Sequence, residues 1–406
     1  MKPFESAVLS NGMRVAAACY PGGMVSCCGV YIGAGSRNDP EGKEGLAHFV
    51  EHTVFKGTGK RRGWQVAGRM EDVGGYMNAY TSKDYTKIYT KAPAGYDARA
   101  LDLLADIIAD SRFPEAELEK ERDVVAEEIR SYLDSPVEVM YDEFDENMFK
   151  GSGLAHPILG SEESVSRLRG EDCLGFLDRY YTPGNMTAYM LSPEKPEKTL
   201  RLMEKYFGSI GRVDQPQERP GVEIRERFDL TEKADNHQAN CLLGKRIPGL
   251  CDPRRYRYFL LAHYLGGGFN SRLCRELRDK RGLVYNVGVA ADMLNDTGVF
   301  SLTFGCAPES VEKCRRVIRK ELDRLRETPL SVRAVETIKR QYIGNLMMST
   351  DRPSMRVSGA ARSMLLFGNA VDLPDSIEAI KRVTPEELYD TARELDYADF
   401  SAYTLR

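Results

Sequence analysis

Gly45 to Phe55 reads GLAHFVEHTVF, an apolar run whose only ionisable residues are His48, Glu51 and His52. A helix this apolar on all sides must be largely buried, and ionisable groups buried in it need partners. On such a helix His48 and His52 are i, i+4 neighbours on one face, with Glu51 beside them. Two imidazoles in that arrangement can converge on one cation, leaving a carboxylate to handle a proton. The plainer alternative is a pair of satisfied core histidines beside a helix-face glutamate. The chain has only five histidines (48, 52, 156, 237 and 263), so a pair at ligand spacing stands out.

A metal site open for catalysis needs a third protein ligand. In the charged segment from Glu115 to Leu133, Leu118, Glu121, Val125, Glu128 and Tyr132 recur at spacings of 3, 4, 3 and 4, which predicts one inward helical stripe interrupted by two carboxylates. Glu127 lies about 100° around the helix from Glu128, so Glu128 is the better ligand. Taken alone, these glutamates would be assigned to a solvated face. The order H-x-x-E-H inverts the H-E-x-x-H zinc-peptidase motif. The expected centre is one Zn²⁺ per chain on His48, His52 and Glu128. Glu51 would take a proton from the attacking water and pass it to the leaving amine.

These residues need a scaffold, and the chain supplies one twice. Ala92-Pro93 closes a strand-like run before a helical one, and Ala307-Pro308 does the same 215 residues on. Val165, Arg167 and Glu171 match Ile380, Arg382 and Glu386 at the same offset, and Thr187-Ala188-Tyr189 recurs as Ser401-Ala402-Tyr403 at 214. The polar segment Gly211 to Gly221, with its two prolines, is the best linker. The boundaries expected are 1–212 for a zinc-binding catalytic domain and 221–406 for a homologous domain without metal. Each half alternates Val/Ile/Thr/Tyr strands with amphipathic helices. This predicts an α+β fold of two homologous tandem domains, each a largely antiparallel sheet packed with helices. At offset 215 His48 falls on His263, but Glu51 falls on Gly266, His52 on Gly267 and Glu128 on Ile343, so no metal is expected in the second half.

Composition removes other classes. With 57 Lys and Arg against 61 Asp and Glu, net −4, the chain has no concentrated basic surface for nucleic acid or an anionic membrane. With 42% hydrophobic and 29% charged residues over 406 positions, it has material for a core and is neither disordered nor collagen-like. No apolar run spans a bilayer, and the first residues have neither a signal-peptide nor a transit-peptide pattern, so a cytoplasmic location is expected. Nine cysteines without regular spacing suit reduced thiols. Gly33-Ala34-Gly35 and the stretch from Lys56 to Gly63 lack the full frames of nucleotide-binding loops.

HFVEH, with ERDVVAEEI placing Glu128 76 residues beyond His52, resembles the pitrilysin/insulinase family of zinc metallopeptidases. GLAHFVEHTVFKGT, GGYMNAYTSKDYT, RYYTPGNM and LGGGFNSRLCRELRDKRGLVYNV are most similar to its mitochondrial processing peptidase-like branch, in the bacterial half-length type. The resemblance covers essentially the whole chain. It implies a processing-peptidase-like fold, zinc on His48, His52 and Glu128, Glu51 as base and Glu121 as supporting carboxylate. It further implies Arg278 and Tyr285 as a substrate-contacting pair that steadies the reacting carbonyl, with Asn78 and Ala79 in a strand to which an extended peptide adds. Half-length members work as dimers, so the expected assembly is a homodimer enclosing a chamber, in which Arg278 and Tyr285 of one chain face the zinc of the other. A heterodimer with an inactive homologue is the variant of that scheme. The rival reading is a non-catalytic core or partner subunit, which normally lacks the complete His48, Glu51, His52, Glu128 set. Two departures from the family pattern, Leu154-Ala155-His156 and Phe269-Asn270, fall on substrate-facing walls.

Overall fold

The structure is a computed structural model, and it describes residues 4–214, 221–223, 226–233 and 238–406. Residues 215–220 of the expected linker, and His237, lie outside the described residues. The chain forms two compact units, each interrupted in sequence. The first takes the chain up to Ser131, the stretch from His156 to the linker, and Ser349–Leu373; the second takes Tyr132–Ala155, the chain from the linker to Met348, and Pro374–Arg406. Relative to the continuous halves expected from sequence, each half gives one segment to the other unit.

In the first unit, β1 (Glu5–Val8), β2 (Arg14–Cys19), β3 (Val25–Ile32), β4 (Tyr76–Thr81), β5 (Thr86–Pro93) and β6 (Met186–Ser192) form one sheet in the order β1-β2-β6-β3-β5-β4. Only the β2–β6 pair is parallel. Strand alternation assigns the two faces. Val30, Ile32 and Ile88 point to a core shared with Leu46, Phe49 and Val50 of the helix Leu46–Thr53 and with Leu101, Leu104 and Ile108 of the helix Asp97–Asp110. Tyr31, Tyr189 and Leu191 point the other way, against Val357, Ala360, Ala361 and Met364 of the helix Pro353–Phe367. β6 is consequently buried along both faces.

The helix Leu46–Thr53 has only eight residues, too few to be stable alone in water. Burial of Leu46, Phe49 and Val50, worth roughly 1.5–3 kcal/mol each, holds it in place. Its start is fixed by Asp39, whose carboxylate accepts from the backbone N–H groups of Gly45 and Ala47, at 2.8 Å each. Gly45 adopts φ 91°, and a Cβ there would meet the Leu159 carbonyl oxygen at 2.5 Å, so both conformation and space demand glycine.

In the second unit, β7 (Asp229–Glu232), β8 (Ala239–Pro248), β9 (Val284–Met293), β10 (Thr297–Cys306) and β11 (Ser401–Leu405) are ordered β7-β11-β8-β10-β9, with only β7–β11 parallel. One face packs on Leu261, Leu265, Ile318, Leu322, Val335 and Ile338 from three helices. Against the other lie Met140, Phe144 and Met148 of the helix Pro136–Met148. Both units are thus largely antiparallel sheets packed with helices, as the strand and helix pattern predicts. All nine cysteines are free thiols. Among the described residues no helix is long and apolar enough to cross a membrane.

Candidate metal centre

The helix Leu46–Thr53 and the helix Glu115–Leu133 bring His48, His52 and Glu128 together, with one ligand atom from each lying within 4.8 Å of the others. Glu128 Oε2 stands 3.4 Å from His52 Nε2 and 3.8 Å from His48 Nε2. The two imidazole rings sit with centroids 4.6 Å apart. A tetrahedral zinc with ligands at about 2.0–2.2 Å spaces its ligand atoms about 3.3–3.6 Å apart, so the set fits such an ion after shifts of less than about 1 Å. Two aromatic nitrogens and one carboxylate oxygen are also the donor chemistry that zinc accepts.

Electrostatics agree with this geometry. Burial, reinforced by the neighbouring His52, pulls the pKa of His48 down to about 3, so its imidazole is neutral and its lone pair is free. Nδ1 of His48 is buried with no hydrogen-bond partner among the described residues, while Nε2 faces Glu128. The Glu128 side chain is 45% exposed, which leaves the solvent side of the group accessible. The inward stripe therefore needs a correction. The buried positions run Leu118, Glu121, Val125 and Ile129, and Glu128 and Tyr132 sit at the rim. A 3.6-residue helix drifts about 20° per seven residues, which carries the later members of a 3, 4, 3, 4 pattern off the core.

Glu121 is buried, 3.3 Å from Nδ1 of His52 through Oε2, and its other oxygen is bound by the Lys56 ammonium. A carboxylate on Nδ1 fixes the tautomer that presents Nε2 to a metal. Glu51 accepts a 2.7 Å hydrogen bond from the Thr81 hydroxyl at the end of β4, and burial raises its pKa against that bond. Lys56 and Thr81 did not emerge from the sequence. The signal for Thr81 was available, because strand alternation puts it on the helix-facing side with Met77 and Ala79.

Asn78 and Ala79 lie in β4, at the edge of the first sheet, with Tyr76, Asn78 and Tyr80 exposed. Arg278 and Tyr285 belong to the second unit, where the guanidinium lies 5.8 Å from the Tyr285 ring and 5.2 Å from that of Phe269. Tyr285 is 82% exposed at the start of the edge strand β9. His156 binds the Pro157 carbonyl and takes no part in the metal group. His263 packs edge-on against Tyr342. In the helix Val332–Ser349, Val335 and Ile338 are buried as Leu118 and Glu121 are, which moves the register there from 215 to 217 and sets Asn345 in place of Ile343 opposite Glu128. The second half still offers no carboxylate at that position.

The insulinase (peptidase family M16) profile matches residues 14–162, the part that carries His48, Glu51, His52 and Glu128, and the peptidase M16 inactive-domain profile matches residues 167–342. An uncharacterized zinc protease of Bacillus subtilis is 30% identical, with 96% of this chain and 95% of that protein covered. One from Mycobacterium bovis is 32% identical, over 95% of this chain and 89% of its own length. A protease from Helicobacter pylori shares the fold with a TM-score of 0.89 at 24% identity, covering 99% of both chains. A putative M16-like peptidase from Alicyclobacillus acidocaldarius does so with a TM-score of 0.84 at 23% identity, covering 100% of this chain and 99% of its own. The chain belongs to the insulinase family of peptidases, family M16, and is similar over nearly its whole length to half-length bacterial members called zinc proteases.

Proposed function

We propose that this protein is a zinc-dependent endopeptidase that hydrolyses peptides or unfolded polypeptides. The observation that carries the reading is the convergence of His48, His52 and Glu128 beside a half-buried, hydroxyl-anchored Glu51. His48, His52 and Glu128 would hold one zinc ion per chain. When bound there, zinc supplies Lewis-acid polarisation of the scissile carbonyl and acidifies water.

The remaining steps fall to the chain's own groups. Thr81 anchors Glu51 through Oε2, and the carboxylate accepts a proton from the attacking water and returns it to the leaving nitrogen. Burial raises the proton affinity of Glu51, which suits a group that must both take and release a proton near neutral pH. Glu121 keeps His52 in one tautomer. The exposed edge of β4 at Asn78 and Ala79 receives an extended peptide by backbone pairing, which selects substrates without stable folds. Arg278 and Tyr285, from a second copy of the chain in a cytoplasmic homodimer, supply a cation and a hydroxyl to the developing oxyanion. A heterodimer with an inactive homologue is the alternative assembly.

One observation favours a different reading, a non-catalytic partner subunit: the second half matches an inactive-domain profile. That half, however, is the one without the ligand set. Zinc analysis of the purified protein, together with cleavage of a mixed peptide library with and without chelator, tests the proposal. About one zinc per chain and chelator-sensitive cleavage support it; a metal-free, inert protein overturns it.

A further inference from the structure

The second unit contains a cavity of about 740 Å³ that the reaction above leaves unused. It lies beside His263, the residue that falls on His48 at offset 215, and beside Gly267, which takes the place of His52. A Cβ on Gly267 would come within 2.1 Å of His263 Nδ1, so the missing side chain is what leaves room there. Where the first unit gathers carboxylate and imidazole, this wall gathers guanidinium. Arg272, Arg275, Arg333 and Arg340 line the cavity and, among the described residues, no Asp or Glu does.

Arg272 is already held by Glu321 and Glu276. Arg275, Arg333 and Arg340 form no ion pair among the described residues. The acidic neighbour on the helix that carries Arg333 and Arg340, Glu336, is taken by Lys339. Ser271, also in the lining, is 9% exposed, and its hydroxyl has no hydrogen-bond partner among the described residues. A buried hydroxyl without a partner is costly unless a ligand supplies one, and the exposed guanidinium groups beside it favour a ligand that carries negative charge.

We infer that this cavity binds an acidic segment of a peptide. Arg333 and Arg340 are seven residues apart on one helix, about 10 Å along its axis, which an extended peptide covers in about three residues. One inorganic phosphate is too short to reach both. Asn270, Gln341 and Asn345 add amide groups that both donate and accept, matching a peptide backbone, whereas a phosphate chain offers acceptors only. The choice of a peptide rests on the peptidase reading above; the charge of the occupant does not.

The test uses the full chain carrying Glu51→Gln, so that bound peptide is not cut, and a fluorescein-labelled nonapeptide of three Glu-Gly-Ser repeats followed by anisotropy. Saturable binding is expected, weakened at least about tenfold by R333E/R340E and absent for the Lys-Gly-Ser counterpart. Both arginines are exposed, and circular dichroism checks that the variant is folded. A second variant, Q341A/N345A, should weaken peptide binding several-fold. Equal affinity for R333E/R340E and the parent, or no binding, overturns the inference. So does arginine-dependent binding of inorganic triphosphate without binding of the acidic peptide. Wild-type cleavage of a neutral peptide, measured separately, decides the peptidase reading by itself.

Discussion

Replacing Glu121 by alanine should weaken zinc binding without touching a ligand. Glu121 is buried and stands 3.3 Å from His52 Nδ1, so it is the group that holds the imidazole with Nε2 towards Glu128. Outer partners of this kind are worth about 10–100-fold in metal affinity, or about 1.4–2.7 kcal/mol. At 3.3 Å the bond is longer than the 2.7–2.9 Å usual for a charge-assisted pair, which points to the lower end, about tenfold. The Lys56 ammonium loses its partner in this variant, but its side chain is 28% exposed and can be solvated, so little stability is lost with it. Glu121→Gln keeps an acceptor and should cost only about two- to fivefold. Competition with a chromophoric zinc chelator gives the dissociation constants, and melting of the metal-free variants controls for misfolding. If Glu121→Ala binds zinc within twofold of the parent, Glu121 does not position His52 and the second-layer argument fails.

Three further outcomes follow from the same geometry. In metal-free protein, burial holds His48 neutral in the folded chain to about pH 3, whereas the unfolded chain takes up its proton near pH 6.5. Stability from this residue is thus fully present above about pH 6.5 and is lost as pH falls towards 3, by at most about 5 kcal/mol; urea titrations with chelator should show the loss, and His48→Gln should remove that component. Thr81→Val deletes the hydroxyl that stabilises ionised Glu51, so the acid limb of the kcat/KM profile should move up by as much as about one pH unit; an unmoved limb refutes the role of Thr81. Mixing Glu51→Gln chains with Tyr285→Phe chains should recover activity above either alone, and no recovery refutes the shared-site dimer.

The helix Leu46–Thr53 was legible as a candidate metal site because three ionisable residues, two of them histidines at ligand spacing, interrupt the otherwise apolar run GLAHFVEHTVF. Glu121 and Glu128 were found by helical spacing, yet their unequal burial, with Glu121 inside and Glu128 at the rim, follows from drift around the helix that a fixed repeat ignores. The sheets were readable because Val/Ile/Thr/Tyr runs alternate, and the duplication doubled the signal. The exchanged segments were not. Val357, Ala360, Ala361 and Met364 announce an apolar helix face, but nothing in their spacing says that it covers Tyr31 and Tyr189 of the first sheet. Gly244 shows the same limit in the second unit. A Cβ there would meet the Phe144 ring at 2.5 Å, a close approach between residues 100 positions apart that no local pattern records. Lys56 was hidden for a related reason, since it reaches Glu121 from a turn beyond the end of the helix Leu46–Thr53.

The most direct test of the zinc-peptidase account is Glu51→Gln, read for metal and for turnover on the same preparation. The substitution keeps the size of the side chain and an acceptor for Thr81 while removing the group that accepts the proton. About one zinc per chain with cleavage of an unfolded polypeptide reduced at least about 100-fold is the predicted result. A variant that keeps its zinc and cleaves as fast as the parent would contradict the assignment of Glu51.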